Sequence, residues 1–453
     1  MQPDVIVVGG GVSGLAAAGH LARAGGRVRL LEARGRLGGR ILSLKHGAWG
    51  AGVELGAEFV HGGNADLHAL LKRDGIRTRP VQANMWLSLN GHLALMPHYW
   101  DDIGRIAGRI PRRDHGWSFQ QFLHREGSEL PPLDRELIRI YVESFNAASA
   151  GRISAHALRD HRAGADTTDL KLRGTYDAVV RSLRKEWPAR RVDLRLQAIV
   201  TEIRWRPGHV TVRTRSRAGG PIQTHEARAA VITLPLGVLK SGRVKFTPPL
   251  AGRRSLIRSA GWGQVVRIVI HFKRGFWAAP FIPRALGRKG GREFGFVNAP
   301  DESVPVWWAL NPPAPILTGW AGGKIADRLA GKTPAAVRDE ALSSLAHIFG
   351  TGRRQVAAWV DDWAMHDWRK DPFALGAYSY PVAGAEDIGE RLAEPVKGTL
   401  FFAGEALATD YGTVHGAIAT GRRAGREAAA ALEANLLGPQ ELISSASAFF
   451  RGL

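Results

Sequence analysis

The run VIVVGGGVSGLAAAG at residues 5–19 constrains the fold more than any other stretch of this chain. Apolar, β-favouring residues lead straight into Gly9, Gly11 and Gly14, spaced G-x-G-x-x-G. An alanine-rich segment follows that predicts a helix over roughly 13–25. The first glycine of such a cluster permits a tight turn, the second lets backbone approach a pyrophosphate, and the third lets helix and strand pack closely. The helix N-terminus behind the turn offers free N–H groups and a positive dipole end to phosphates. RVRLLE (27–32) reads as the next strand of a β-α-β unit, and Glu32 ends it, eighteen residues past Gly14. A carboxylate there suits a ribose diol, and a glycine-rich turn without a ligand would leave it without a role. An α/β dinucleotide-binding domain is expected.

A second glycine-punctuated unit, FFAGEALATDYGTVHGAIATGRRAG, lies at 401–425. A strand is expected near 399–403, ending in Gly404 and Glu405, and a helix from about Thr413 to 434. Val414, Ala417, Ile418, Gly421, Gly425 and Ala428 form a stripe of mostly small residues that allows close packing against backbone. The chain's 453 residues exceed one core, so two domains are expected. Residues 81–170 show weaker strand signals, many aromatics, and helical stretches near 117–126 and 132–148. From about 176 the pattern is a helix, then strands near 192–204, 208–215 and 228–234. VVRIVIHF (265–272) alternates, with Arg267, Val269 and His271 on one face and Val266, Ile268 and Ile270 on the other. The segment 277–320 is rich in proline and tryptophan.

Cysteine is absent, which excludes disulfides, thiolate metal sites, Fe–S clusters and any cysteinyl-linked cofactor. There is no HExxH, and a protein-held metal is not expected. The net charge of +21 favours anionic partners in general, but the arginines are spread along the chain, so a diffusely basic surface is expected rather than a nucleic-acid site. With a strand expected from near Asp4, no leader is expected, and no early apolar run is long enough to span a bilayer. A cytoplasmic monomer or homodimer is expected. QELISSASAFFRGL at the C-terminus reads as a short amphipathic helix that packs on the body or a second subunit, with peripheral membrane contact the less favoured reading.

Five stretches together resemble one family. EARGRLGGR (32–40), GAEFVHG (56–62), TLPLGVLK (233–240), WRKDPFALGAYSY (368–380) and the 401–425 motif are similar, in order, to those of flavin-dependent amine oxidases. That family includes monoamine oxidases, polyamine oxidases and amine-oxidase-type histone demethylases. The resemblance implies a glutathione-reductase-like flavoprotein. A Rossmann-like FAD-binding domain (1–80, 169–263 and 390–453) is interleaved with a mixed α+β substrate-binding domain (81–168 and 264–389). It implies FAD held by Gly9, Gly11, Gly14 and Glu32, with Arg34, Gly39 and Arg40 at the ADP and pyrophosphate. It also implies backbone of Ala57 and Glu58 near the flavin and backbone of Val200 near adenine. Gly404 and Glu405 would lie at the ribityl chain, and Thr413 and Val414 at the flavin pyrimidine. Without cysteine, a thioether link cannot form, so FAD is expected to be non-covalent.

On the substrate side, Tyr378 matches the position that stands over the flavin, and the opposing position, aromatic in monoamine oxidases, is Thr413. This implies a half-open cage, with Trp368 lining the same pocket. Tyr378 and Tyr380 are two apart in a strand-like stretch, so both rings are expected on one face. His61 resembles the histidine of spermine-type oxidases, and either bonds a substrate amine or is structural. Phe59 stands where amino-acid oxidases of this superfamily carry an arginine, which argues against an α-amino acid substrate. Arg267 stands where relatives carry a lysine that holds a water against flavin N5 and assists reaction with oxygen. Lys273, six residues on, is too far along the strand to substitute. The expected reaction is oxidation of a polyamine-like or other primary or secondary amine by hydride transfer to flavin N5, giving an imine, with oxygen or another acceptor reoxidising the flavin. The alternatives are a dehydrogenase or desaturase of the same superfamily that reacts poorly with oxygen, and a basic FAD-containing binding protein with little catalysis.

Overall fold

The computed structural model describes residues 2–434, apart from 46, 51, 63, 82, 114, 164–168, 217–218 and 311–313. The amphipathic segment expected at 440–453 lies outside the described residues.

Val5–Val8 is the central strand of a parallel five-stranded sheet. Val28–Leu31 flanks it on one side and Ala229–Ile232 on the other, with Val192–Arg195 and Leu400–Phe402 at the edges. The helix Val12–Arg23 follows the first strand, and the helix Val414–Ala434 follows the last. The two helices pack on one another, and the glycine stripe explains how. A Cβ at Gly421 would fall 2.2 Å from the Ser13 carbonyl oxygen, and one at Gly425 would lie 3.1 Å from that of Ala17. The third glycine of the first cluster acts similarly: a Cβ at Gly14 would meet the Gly9 carbonyl oxygen at 1.9 Å. The far end of the chain thus returns to the first helix, and its strand completes the sheet beside the glycine turn.

The strand expected over 192–204 is two strands. Val192–Arg195 joins the parallel sheet, and Ala198–Arg206 joins a separate four-stranded sheet. The break falls beside Gln197, whose φ of +56° turns the chain out of an extended conformation.

A seven-stranded sheet forms the second layer. Val265–Phe272 lies between Ile316–Gly322 and Val360–Asp367, and the hairpin Met85–Leu89/His92–Leu95 sits at the far edge. Phe296–Asn298 and Val306–Trp308 complete it. These last strands were not legible in the proline- and tryptophan-rich segment, because three residues are too few to show a period of two. The alternation read in 265–272 holds. Val269 packs with Trp49, Val53 and Leu55, and His271 stacks on Trp49. Ile268 and Ile270 face a different cluster with Leu317 and Leu345. All eight residues are buried, so the strand is covered on both faces. The helix expected over 132–148 is α-helical only from Pro132 to Ile140 and continues as a π-helical turn, Tyr141–Phe145. No described helix is long and apolar enough to cross a membrane.

Candidate active site

One cavity of about 2050 Å³ runs from the C-terminal ends of the parallel strands to the face of the seven-stranded sheet that carries Arg267. This is the crevice where ligands of open α/β sheets bind. Its walls include every residue expected at the cofactor or substrate site except Gly14, which packs helix against strand.

At one end lie Glu32, Arg34 and Val200. Glu32 is buried, and its two carboxylate oxygens accept the Gly10 N–H at 2.6 Å and the Arg34 N–H at 2.7 Å. Burial pushes its carboxyl up, and these bonds work against that shift. They fix the carboxylate at the strand end and leave each oxygen a further lone pair. Arg34 pairs with Asp371 at 2.6 Å. Burial would raise the Asp371 carboxyl, but His366 and Arg34 outweigh it and hold it well below the usual carboxylate range. The second glycine of the cluster behaves unlike the third: a Cβ at Gly11 would meet no atom nearer than the Gly39 Cα, at 4.0 Å. Protein packing therefore does not require glycine at 11, and the open space would let a pyrophosphate approach the protein backbone there. The cradle fits a dinucleotide.

Arg40 and Glu405 sit midway. The Arg40 guanidinium donates to the Ala377 carbonyl and to Glu405, each at 2.7 Å. Glu405 also accepts the Ser379 hydroxyl at 2.7 Å, the Ser379 N–H at 3.2 Å and the Gly412 N–H at 2.9 Å. Three of these four donors share one oxygen and tie the 377–379 and 412 segments together, while the other oxygen accepts only from Arg40 and keeps a lone pair for a ribityl hydroxyl. Thr413 caps the last helix: its hydroxyl accepts the Gly416 N–H at 3.0 Å and donates to the Asp410 carbonyl at 2.6 Å.

The far end is aromatic and charged. Tyr378 stacks on Trp320 with centroids 6.4 Å apart, and its hydroxyl donates to the Phe145 carbonyl, so the π-helical turn fixes the ring. Burial raises the Tyr378 phenol, which stays neutral. Tyr378 and Tyr380 both line the cavity but pack in different clusters, Tyr378 with Trp368 and Tyr380 with Phe119 and Ile153. Trp368 is buried and donates to the Leu55 carbonyl at 2.9 Å. Arg267 is buried, donates to the Gly56 carbonyl at 2.8 Å, and pairs with Glu58. His61 is half exposed and pairs with Asp169 at 2.8 Å, so it is not a buried structural histidine.

The family model for flavin-containing amine oxidoreductases matches residues 12–429. The chain belongs to this family. It is a flavin-dependent amine oxidoreductase. Among curated relatives it is 30% identical to polyamine oxidase 2 of Arabidopsis thaliana, over 94% of this chain and 88% of that protein. It is 28% identical to the FLOWERING LOCUS D protein of the same plant, over 93% of this chain and 55% of that protein. Among solved structures, putrescine oxidase bound to putrescine matches with a TM-score of 0.74 at 21% identity, covering 94% of this chain and 98% of that one. Cyclohexylamine oxidase from Brevibacterium oxydans matches with a TM-score of 0.74 at 21% identity, covering 96% and 100%.

In this amine oxidoreductase the residue that sequence reasoning most undervalued is Glu58. Its backbone was expected near the flavin, but its side chain is the hub of the inner end. One oxygen takes the Lys171 ammonium; the other takes the Arg267 guanidinium and the Trp308 indole N–H, the last at 3.2 Å. The guanidinium also lies 5.2 Å over the Trp308 ring. Burial alone would raise the Glu58 carboxyl; Lys171 and Arg267 outweigh it and hold it down near 2. Lys171 arrives through strand register, because Leu170–Leu172 pairs with Phe59–Val60 and sets Lys171 opposite Phe59. Its only sequence signal was a lysine between two leucines in a strand-like LKL.

Proposed function

We propose that this enzyme oxidises a di- or polyamine-like substrate at the carbon beside one nitrogen, giving an imine that hydrolyses, with oxygen as the electron acceptor. The observation that carries this reading is the arrangement of charge along one cavity. Buried Arg267 and Lys171 flank Glu58 at the inner end, and the half-exposed His61–Asp169 pair lies on the outer wall.

A net cation at the inner end disfavours an ammonium there and favours the neutral amine, the form that can release hydride. Asp169 and His61 suit a second, protonated nitrogen of the same chain. Tyr378, Trp320 and Trp308 supply apolar faces that position the carbon between them and exclude water. Bound FAD supplies the two-electron acceptor. Gly9, Gly11, Gly39 and Glu32 suit its ADP half, and backbone around Gly56–Glu58 and Thr413–Val414 its ring. This reading assigns FAD binding to 1–80, 169–263 and 390–453 and substrate binding to 81–168 and 264–389. The cysteine-free chain is consistent with a cytoplasmic location and non-covalent FAD.

Anaerobic mixing of the purified protein with mono-, di- and polyamines tests this reading through loss of the flavin's visible absorbance. Fast bleaching by di- or polyamines is expected, and no bleaching by any amine refutes it. Arg267 in place of the family lysine favours one second reading, a dehydrogenase that reacts poorly with oxygen. Rapid bleaching followed by slow recovery in air would select it.

A further inference from the structure

The cluster around Glu58 does not balance. The side chains of Arg267, Glu58 and Lys171 are 2%, 4% and 7% exposed. A guanidinium and a carboxylate alone form a neutral pair, which projects a dipole but no net charge. The second cation leaves one positive charge in a dry site, where two cations on one anion are harder to desolvate than a simple pair. Glu54 lies four residues before Glu58, but burial favours its neutral form up to about pH 7, so it does not supply the missing anion below that pH. Lys273, just past the end of the strand that carries Arg267, is spent on the Ala358 carbonyl at 2.8 Å. Arg267 is also incompletely used. Its Nε is buried with no hydrogen-bond partner, although its side chain lines the cavity. An unpaired buried donor on an uncompensated cation calls for an acceptor carrying negative charge.

We propose that Lys171 is a positioning residue that engages one oxygen of Glu58, leaving Arg267 a net cation toward the flavin, and so raises the reduction potential of bound FAD. Lys171 itself need not touch the cofactor; it acts through Glu58. The proposal rests on the reading that the flavin ring lies at this end of the cavity. Reduced flavin carries negative charge on its pyrimidine side, and a fixed positive charge nearby stabilises the reduced form relative to the oxidised one.

The experiment measures the potential of the FAD-loaded protein near pH 6 by anaerobic equilibration with a reference dye. The proteins are wild type, Lys171→Met, Lys171→Arg and the double variant Glu58→Gln/Lys171→Met. Lys171→Met is expected to shift the two-electron equilibrium against reduction by about tenfold, or about 30 mV. Lys171→Arg keeps the charge and is expected to stay within about threefold of wild type. The double variant again leaves Arg267 as the net charge, with the introduced amide oxygen still able to accept from it, and is expected to return to within about threefold of wild type. A merely structural lysine would not be rescued by removing its partner's charge. An unmoved potential in Lys171→Met, or a double variant as low as the single, overturns the proposal. If Lys171→Met fails to fold, Lys171→Gln, which also removes the charge but can still donate to Glu58, takes its place with the same expected shift of about tenfold, and an unmoved potential in it overturns the proposal. FAD content separates the two levels: wild type without FAD refutes the cofactor reading, whereas loaded protein with an unmoved potential refutes only the role of Lys171.

Discussion

Glu54 ends the strand Gly52–Glu54, is 4% exposed, and has only neutral hydrogen-bond partners among the described residues. One oxygen accepts the Tyr176 N–H and the other the Ser43 hydroxyl, each at 2.7 Å. Burial pushes its carboxyl from 4.5 up to about 7, against the pull of those two bonds. The sign follows directly. Between these values the folded protein holds a proton that the unfolded chain has lost, so stability falls as pH rises through this window. Above about pH 8 both states are ionised, and the buried charge costs about 3 kcal/mol; near pH 5.5 the cost is about 1 kcal/mol. Glu54→Gln removes the ionisation and keeps the geometry: the amide oxygen accepts from Tyr176 and the NH2 donates to the Ser43 oxygen. The variant is therefore expected to gain about 2 kcal/mol more near pH 8.5 than near pH 5.5. Urea unfolding of the FAD-loaded wild type and variant at both pH values, followed by tryptophan fluorescence, measures this. The double difference cancels the other titrating groups. An equal gain at both pH values, or a variant weaker at the higher pH, refutes the reasoning.

Two further outcomes follow from the cavity. Gly11→Trp fills the open space above the glycine turn and is expected to abolish FAD retention while the apoprotein stays folded, whereas Glu32→Ala weakens retention without abolishing it; full FAD content in both variants would remove the dinucleotide assignment. Arg267→Lys replaces a planar fork bridging Gly56 and Glu58 with a compact ammonium, which leaves room for a water. Stopped-flow reoxidation of the reduced variant in air-saturated buffer is expected to be several-fold faster than that of wild type, and equal rates would show that this position does not govern oxygen reactivity.

The parts of the fold that depend on local pattern were legible. The glycine turn, the alternating strand 265–272 and the small-residue helix after Thr413 each carry their geometry in adjacent residues. The stripe at Gly421 and Gly425 showed that backbone would pack closely there, but not that it would be the backbone of the first helix, at Ser13 and Ala17. The strands at 296–298 and 306–308 were not legible, because three residues cannot show a period and tertiary pairing alone defines them. The π-helical turn at Tyr141–Phe145 has no sequence period either; it ends at Phe145, whose carbonyl accepts the Tyr378 hydroxyl.

The candidate site divides along the same line. Residues expected to meet a ligand through backbone or a strand end were visible as motifs, but those whose role is set by another charge were not. Lys171 lies 113 residues from Glu58 along the chain, and Arg267 lies 209 from it. Each taken alone has a bland reading: an acid in a motif, a lysine replaced by arginine, a lysine in a strand. Only pairing of Phe59 with Lys171, and packing of the Arg267 face on Gly56, turn them into one cluster. That changes what Arg267 means. A lysine-to-arginine exchange considered by itself conserves charge, but an arginine paired with Glu58 alone would contribute none. The positive field at this end of the cavity therefore depends on a residue that no motif contains.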